Sequence, residues 1–263
     1  GFFKMSIIEI ENRGRLRIIT INNTKKRNAL NYQGYVDLTK ALKDADNDDS
    51  VSVVAITGAG DFYSSGNDIA AAFNSQAPPS ATSSPLKELV RSFYTNRKIL
   101  IGVVNGPCIG IAATTVALCD VIYAEKNAYF YTPFTSLGLC TEGCSSITFP
   151  KIMGKSKANE MLLLNHKMYA EEALRFNFVS ELFAREDLDT KIWPRIEEFA
   201  KLPHKSLMIT KGLIKRSEIE ELEAANVAEL EALQERVTSD DCIEAAIKFM
   251  QRKFAKTETR SSL

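Results

Sequence analysis

The 263-residue chain carries 33 Lys and Arg against 33 Asp and Glu, with 45% apolar and 25% charged residues. This composition excludes wholesale disorder, and zero net charge argues against a nucleic-acid partner, which draws on a basic excess. The length fits one large domain, or a core domain with an appendage.

Strand and helix signals alternate through the first half. Ile7–Ile10 and Arg15–Ile21 read as two strands that turn back at Asn12–Gly14. Asn31 to Ala45 places Val36, Leu38, Ala41 and Leu42 at helical spacing. Val51–Thr57 is apolar nearly throughout, the pattern of a strand buried on both faces, and it stops at Gly58. Asn74–Pro85, rich in Ser, Ala and Pro, reads as a mobile loop. Leu86–Lys98 is predicted helical, Ile99–Val104 a strand, Gly110–Leu118 a helix, and Asp120–Ala124 and Ala128–Tyr131 two further strands.

After about Cys144 the pattern is read as helical to the end. Leu202-Pro203 marks a boundary, Glu218–Arg236 carries Leu222, Ala225, Leu230 and Leu233 at helical spacing, and Thr238–Asp240 caps a last helix through Phe254. The expectation is an α/β core over 5–201, a helical region over 202–256 and a tail over 257–263.

Ile99 to Cys119 is uncharged and long enough to cross a bilayer, yet Asn105, Gly106 and Pro107 break it into strand, turn and helix. No membrane span is expected there. The opening Gly1-Phe2-Phe3-Lys4 lacks the regions of a signal peptide. Cys108, Cys119, Cys140, Cys144 and Cys242 cannot all pair within the chain, and their apolar settings predict reduced, buried thiols. No metal site is expected, because Cys140 and Cys144 lack a second ligand pair and His166 and His204 stand alone.

Several familiar motifs fail on inspection. Gly58-Ala59-Gly60 follows a strand, but Tyr63 stands where a dinucleotide fingerprint needs its third glycine. Neither Ser64/Ser65 nor Ser145/Ser146 sits in a G-x-S-x-G elbow. The Asn22-Asn23-Thr24 sequon has no use in a reduced-thiol protein.

Two segments carry more weight together. Asp61 to Ile69 contains Ser64, Ser65, Gly66, Asn67 and Asp68 just after a predicted buried strand; Val104 to Ala112 contains Gly110 and Ile111 just before a helix. Small residues let a ligand approach the backbone, and amides at a helix start are free to bind negative charge. Two such amides aimed at one point make an oxyanion hole.

These segments, with Asn22 through Asn28-Ala29-Leu30 ahead of them, resemble the crotonase (enoyl-CoA hydratase/isomerase) superfamily over roughly Ile7 to Met250. Phe62 to Asp68, Tyr131-Thr132-Pro133-Phe134, and Glu142-Gly143-Cys144-Ser145-Ser146 followed by Phe149 to Met153 are most similar to its peroxisomal-type 3-enoyl-CoA to trans-2-enoyl-CoA isomerases. The family's first-loop Asn-Arg-Pro is replaced here by Asn22-Asn23-Thr24.

The resemblance implies a ββα spiral core with C-terminal helices, an acyl-CoA thioester substrate, no separate cofactor, and a homotrimer or dimer of trimers. It implies an oxyanion hole from the Asn67 and Ile111 amides, with Ser64, Ser65, Gly66, Asn67, Asp68 and Gly110 shaping the substrate site. Thr114 and Phe134 stand where hydratases of the superfamily keep two glutamates, which disfavours water addition. Glu142 stands where the matching isomerases keep their base. Its neighbours Leu137, Leu139, Cys140, Ile147 and Phe149 predict a desolvated carboxyl with a raised pKa.

The implied reaction moves a double bond in unsaturated fatty-acid β-oxidation. Hydration, dienoyl isomerisation, and an inactive crotonase-fold domain that binds protein or RNA are the rival readings. Lys25, Lys26 and Arg27 are candidates for CoA phosphates, and Tyr63, Phe73, Phe93 and Phe134 for an acyl tunnel, each against a plainer surface or core role. Ser261-Ser262-Leu263 resembles a peroxisomal address with Ser in place of the basic residue, and favours the peroxisome, through its import receptor, over the mitochondrion.

Overall fold

The computed structural model describes residues 6–68, 84–248 and 251. A six-stranded sheet forms its centre. Strands β1 (Ile8–Arg13) and β2 (Leu16–Ile21) make an antiparallel hairpin, and β3 (Val53–Gly58), β4 (Ile99–Val104), β6 (Val121–Glu125) and β9 (Glu181–Phe183) follow in parallel. The order is β1-β2-β3-β4-β6-β9. A smaller sheet joins β5 (Cys108–Ile109), β7 (Tyr129–Tyr131) and β8 (Met168–Tyr169).

Every residue of β3 is buried, as its unbroken apolar run requires when both sheet faces are covered. One face packs Ile19, Val54, Ile56, Leu100 and Val104 into the main core with helices α1 (Tyr32–Asp46), α2 (Pro85–Tyr94) and α3 (Ile111–Val116). Asn31 starts α1 by accepting from the Gly34 amide through its side chain at 2.9 Å. The opposite face packs Leu16, Val53, Ala55 and Val103 against Trp193, Ile196 and Ala200.

The second half holds α4 (Ser145–Met153), α5 (Lys155–Leu162), α6 (Ala170–Arg175), α7 (Trp193–Ala200), α8 (His204–Lys215) and α9 (Ile219–Val237). It is not purely helical, contrary to the sequence reading. Strand β8 pairs with β7, and β9 pairs with β6 to form the last strand of the main sheet. Three residues, Glu181-Leu182-Phe183, are too few for alternation to register, and main-chain pairing with β6 defines them instead. The helix expected over Leu86–Lys98 stops at Tyr94, where Arg97 and Lys98 turn into β4 through side-chain bonds to Asp46 and Asn96. The stretch 99–119 divides into β4, β5 and α3, and no helix among the described residues is long and apolar enough to cross a membrane.

The five cysteines are free thiols, with Cys108, Cys144 and Cys242 buried. The loop expected over Asn74–Pro85 falls largely outside the described residues, as do Phe73 and Ser261-Ser262-Leu263. The closing helix begins at 240, and its expected end at Phe254 is also outside them.

Candidate active site

Two loops leave the carboxyl ends of β3 and β4 and are stitched together, a position where parallel α/β sheets commonly open a crevice. The Ser64 amide donates to Pro107 O at 3.2 Å, and the Ile109 amide donates to Ser64 O at 3.0 Å. Asn105 ties the second loop to the first by accepting from the Gly58 amide at 3.1 Å and donating to Gly60 O at 2.9 Å. Gly66, at φ 81°, lies so close to the second loop that a Cβ there would stand 2.5 Å from Ile109 O. Only glycine permits that approach.

Asn67 and Ile111 follow directly from this contact. Leu30 donates to Gly66 O and accepts from the Asp68 amide, both at 2.8 Å, leaving the Asn67 N–H on the opposite side. Ile111 is the first residue of α3, so its N–H has no intrahelical partner. Among the described residues neither amide donates a hydrogen bond. Such a pair can hold a developing negative oxygen.

Glu142 packs against the same helix. Its Oε1 accepts from Thr114 Oγ1 at 3.4 Å, one helical turn beyond Ile111. Its Oε2 is buried with no hydrogen-bond partner among the described residues. Gly143, at φ 69°, makes the approach possible, because a Cβ there would lie 2.2 Å from Thr114 Oγ1 and 3.5 Å from Ile111 Cδ1. Burial, helped by the negative charge of Glu229, pushes the Glu142 carboxyl up to about 8, and the Thr114 hydroxyl offsets part of this. Burial thus raises the carboxyl, the direction expected from the sequence. A carboxyl held near neutrality can take up and return a proton at physiological pH.

The other expected site residues divide by depth. Ser64 is fully buried; its hydroxyl donates to Asn28 O at 2.7 Å and accepts from the Gly66 amide at 3.1 Å, so its side chain supports the loop from beneath. Ser65 is anchored through its amide to Arg27 O. Asp68 is buried and pairs with Lys26 at 2.7 Å, bracing the first loop. The Asn67 side chain is exposed, and Gly110 turns into α3 at φ 59°.

Arg27 lies over the Phe62 ring at 5.4 Å. With Thr24, Gly60 and Asp61 they line a cavity of about 210 Å³. Tyr63, Phe93 and Phe134 are core residues. His166 bonds Glu172 at 2.8 Å and His204 bonds Ser52 at 3.0 Å. Among the described residues Glu160, His166 and Glu172 converge, and Lys157 bonds both glutamates, so an ammonium already occupies the cluster.

Two residues that shape the site are given no role by the sequence. Asn28 stands at φ 58° with its side chain bonded to Ala59 O, Phe62 O and the Asn23 amide, joining the first loop to its support. Glu229 is buried on α9 and accepts from the Cys144 and Ser146 amides at 2.7 and 2.9 Å. Its signal was present: Glu229 falls seven residues after Leu222 and four after Ala225, on the apolar face where a charge is costly.

Comparison with known proteins places this architecture. The enoyl-CoA hydratase/isomerase family model matches residues 11–259, and the chain belongs to that family. Enoyl-CoA delta isomerase 2 of Rattus norvegicus is 42% identical over 250 residues, covering 94% of this chain and 64% of its own. Enoyl-CoA delta isomerase 3, peroxisomal, of Mus musculus is 40% identical, covering 89% and 75% respectively. The chain thus spans less than two thirds of the rat relative. A solved enoyl-CoA hydratase/isomerase from Pseudoalteromonas atlantica T6c matches with a TM-score of 0.88 at 28% identity, covering 94% of this chain and 98% of that one. The fold is the crotonase fold.

Proposed function

We propose that the chain is an isomerase that converts a 3-enoyl-CoA into the trans-2-enoyl-CoA. The observation that carries this reading is the buried Glu142 carboxyl, one oxygen of which has no hydrogen-bond partner among the described residues, packed on the helix that begins with the open Ile111 amide. The relatives named as enoyl-CoA delta isomerases support it.

Ionised Glu142 takes a proton from carbon 2 of the substrate. The electrons of that C–H bond delocalise into the thioester and the neighbouring double bond, giving a dienolate. The Asn67 and Ile111 amides hold its negative oxygen, an interaction for which one donor accounts for about 10²–10³ in rate in other enzymes. Protonated Glu142 returns the proton at carbon 4, leaving the double bond between carbons 2 and 3. One carboxyl serves both steps, which fits Thr114 and the buried Phe134 at the positions where hydratases keep glutamates. All the chemistry is assigned to protein groups and to the CoA thioester itself.

Lys25, Lys26 and Arg27, the last of which lines the cavity beside Phe62, are assigned to the CoA phosphates. The proposed setting is unsaturated fatty-acid β-oxidation in the peroxisome, with the mitochondrion as the other location. The proposed assembly is a trimer or dimer of trimers, and the import receptor is a proposed partner through Ser261-Ser262-Leu263. Incubation with trans-3-hexenoyl-CoA tests the reaction through the rise in absorbance of the conjugated thioester. Acyl-CoA binding without that rise would make the chain a binding domain.

A further inference from the structure

Helix α4 begins without a cap of its own. Its N-cap residue, Cys144, stands at φ 62° and supplies no side-chain hydrogen bond. The missing acceptors come from Glu229, 85 residues further along the chain, whose Oε2 accepts from the Cys144 amide and Oε1 from the Ser146 amide. A carboxylate is well placed there, since the start of a helix presents unpaired N–H groups and a partial positive charge. The two bonds hold the backbone immediately after Glu142 and Gly143.

Through the Cys144 amide the same carboxylate is held two residues along the chain from Glu142, and its negative charge acts on the Glu142 carboxyl. Burial pushes the Glu229 carboxyl up, and its bonds to Cys144 and Ser146 oppose this. Tyr35 and the thiols of Cys140 and Cys144 are the other titratable groups that sense Glu142. Among the described residues no Lys or Arg pairs with either glutamate, so their mutual repulsion is not neutralised by an ion pair.

We propose that Glu229 is the positioning residue of this site, fixing the Glu142-Gly143-Cys144 turn by its two amide hydrogen bonds and presenting its negative charge to the Glu142 carboxyl. The inference rests on Glu142 as the proton shuttle. Glu229 touches neither substrate nor reacting atoms; it acts through Glu142. Loss of Glu229 therefore loosens the turn and removes the like charge that adds to burial in raising the Glu142 carboxyl.

The test is a titration of Glu142 by ¹³C NMR of glutamate-labelled protein, assigned with Glu142→Gln, in the parent and in Glu229→Gln. The variant keeps the shape and loses the charge. The Glu142 midpoint is expected to fall by about one pH unit. The acid limb of kcat/KM follows it downwards, and the plateau of kcat falls about tenfold with KM changed by less than about twofold. A Glu142 midpoint at the same pH in folded Glu229→Gln and parent overturns the proposal.

The NMR readout separates this inference from the proposed reaction. A midpoint that moves in a protein inert towards 3-enoyl-CoA thioesters supports the coupling of Glu229 to Glu142 and defeats the isomerase reading. Should Glu229→Gln fail to fold, Glu229→Asp carries the test by keeping the charge and losing reach. Hydrogen exchange at the Cys144 and Ser146 amides then accelerates about tenfold; unchanged exchange overturns the proposal.

Discussion

Thr114 donates to Glu142 across 3.4 Å, and it is the hydroxyl that moderates an otherwise unfavourable burial of the carboxyl. Thr114 sits on α3, whose first amide is Ile111, so one short helix carries both an open amide and the contact to the proposed base. Gly143 packing on Thr114 closes the arrangement.

Replacing Thr114 with Val keeps the shape of the side chain and deletes its hydroxyl. Because that hydrogen bond favours the ionised form, the Glu142 pKa rises further above 8 in the variant. The acid limb of the kcat/KM profile, centred near pH 8 in the parent, moves to higher pH. Activity at pH 7 falls while the plateau at high pH is largely retained. A limb that stays in place shows that the hydroxyl does not reach the carboxylate.

Glu142 also costs stability, with a definite sign. Its folded pKa of about 8 lies above the ordinary 4.5, so the folded state retains a proton that the unfolded chain releases. Stability is therefore lost as pH rises from about 4.5 to about 8 and stays lost above that. Glu142→Gln removes this penalty: it stabilises the protein on the order of a few kcal/mol at pH 9 and much less at pH 5. Calorimetry at the two pH values checks it, and a gain independent of pH contradicts the raised pKa.

Gly66→Ala tests how the two loops set the amides. At φ 81° a side chain costs about 1–2 kcal/mol, and the added Cβ would meet the Ile109 carbonyl oxygen at 2.5 Å. The loops must separate, taking the Asn67 amide away from that of Ile111. A drop in kcat of about 10²-fold is expected, as from losing one oxyanion donor, with only a few degrees lost in Tm. An active variant with normal kcat would place the negative oxygen elsewhere.

The central strands were legible because both faces are buried, which leaves a long apolar run such as Val53–Thr57 in plain view. Strand β9 was not, because pairing with Tyr123 to Glu125 rather than side-chain alternation makes it a strand. The site divides the same way. Gly66, Asn67, Ile111 and Glu142 lie in contiguous motifs that resemble a known family, and the resemblance, rather than the local residue types alone, gives them roles. Beyond the local bond of Asn28 to the Asn23 amide, Asn28 and Glu229 act through side-chain bonds to backbone groups 31 to 85 residues away, and no local pattern names such a partner. Only the fold brings Glu229 to the start of α4.

The most direct test of the account compares the parent with Glu142→Gln on trans-3-hexenoyl-CoA at pH 8, beside acyl-CoA binding measured for both. The account predicts conversion by the parent, a loss of about 10³-fold or more in kcat for the variant, and binding intact in each. Equal turnover by the two proteins would contradict it, because a different group would then have to move the proton.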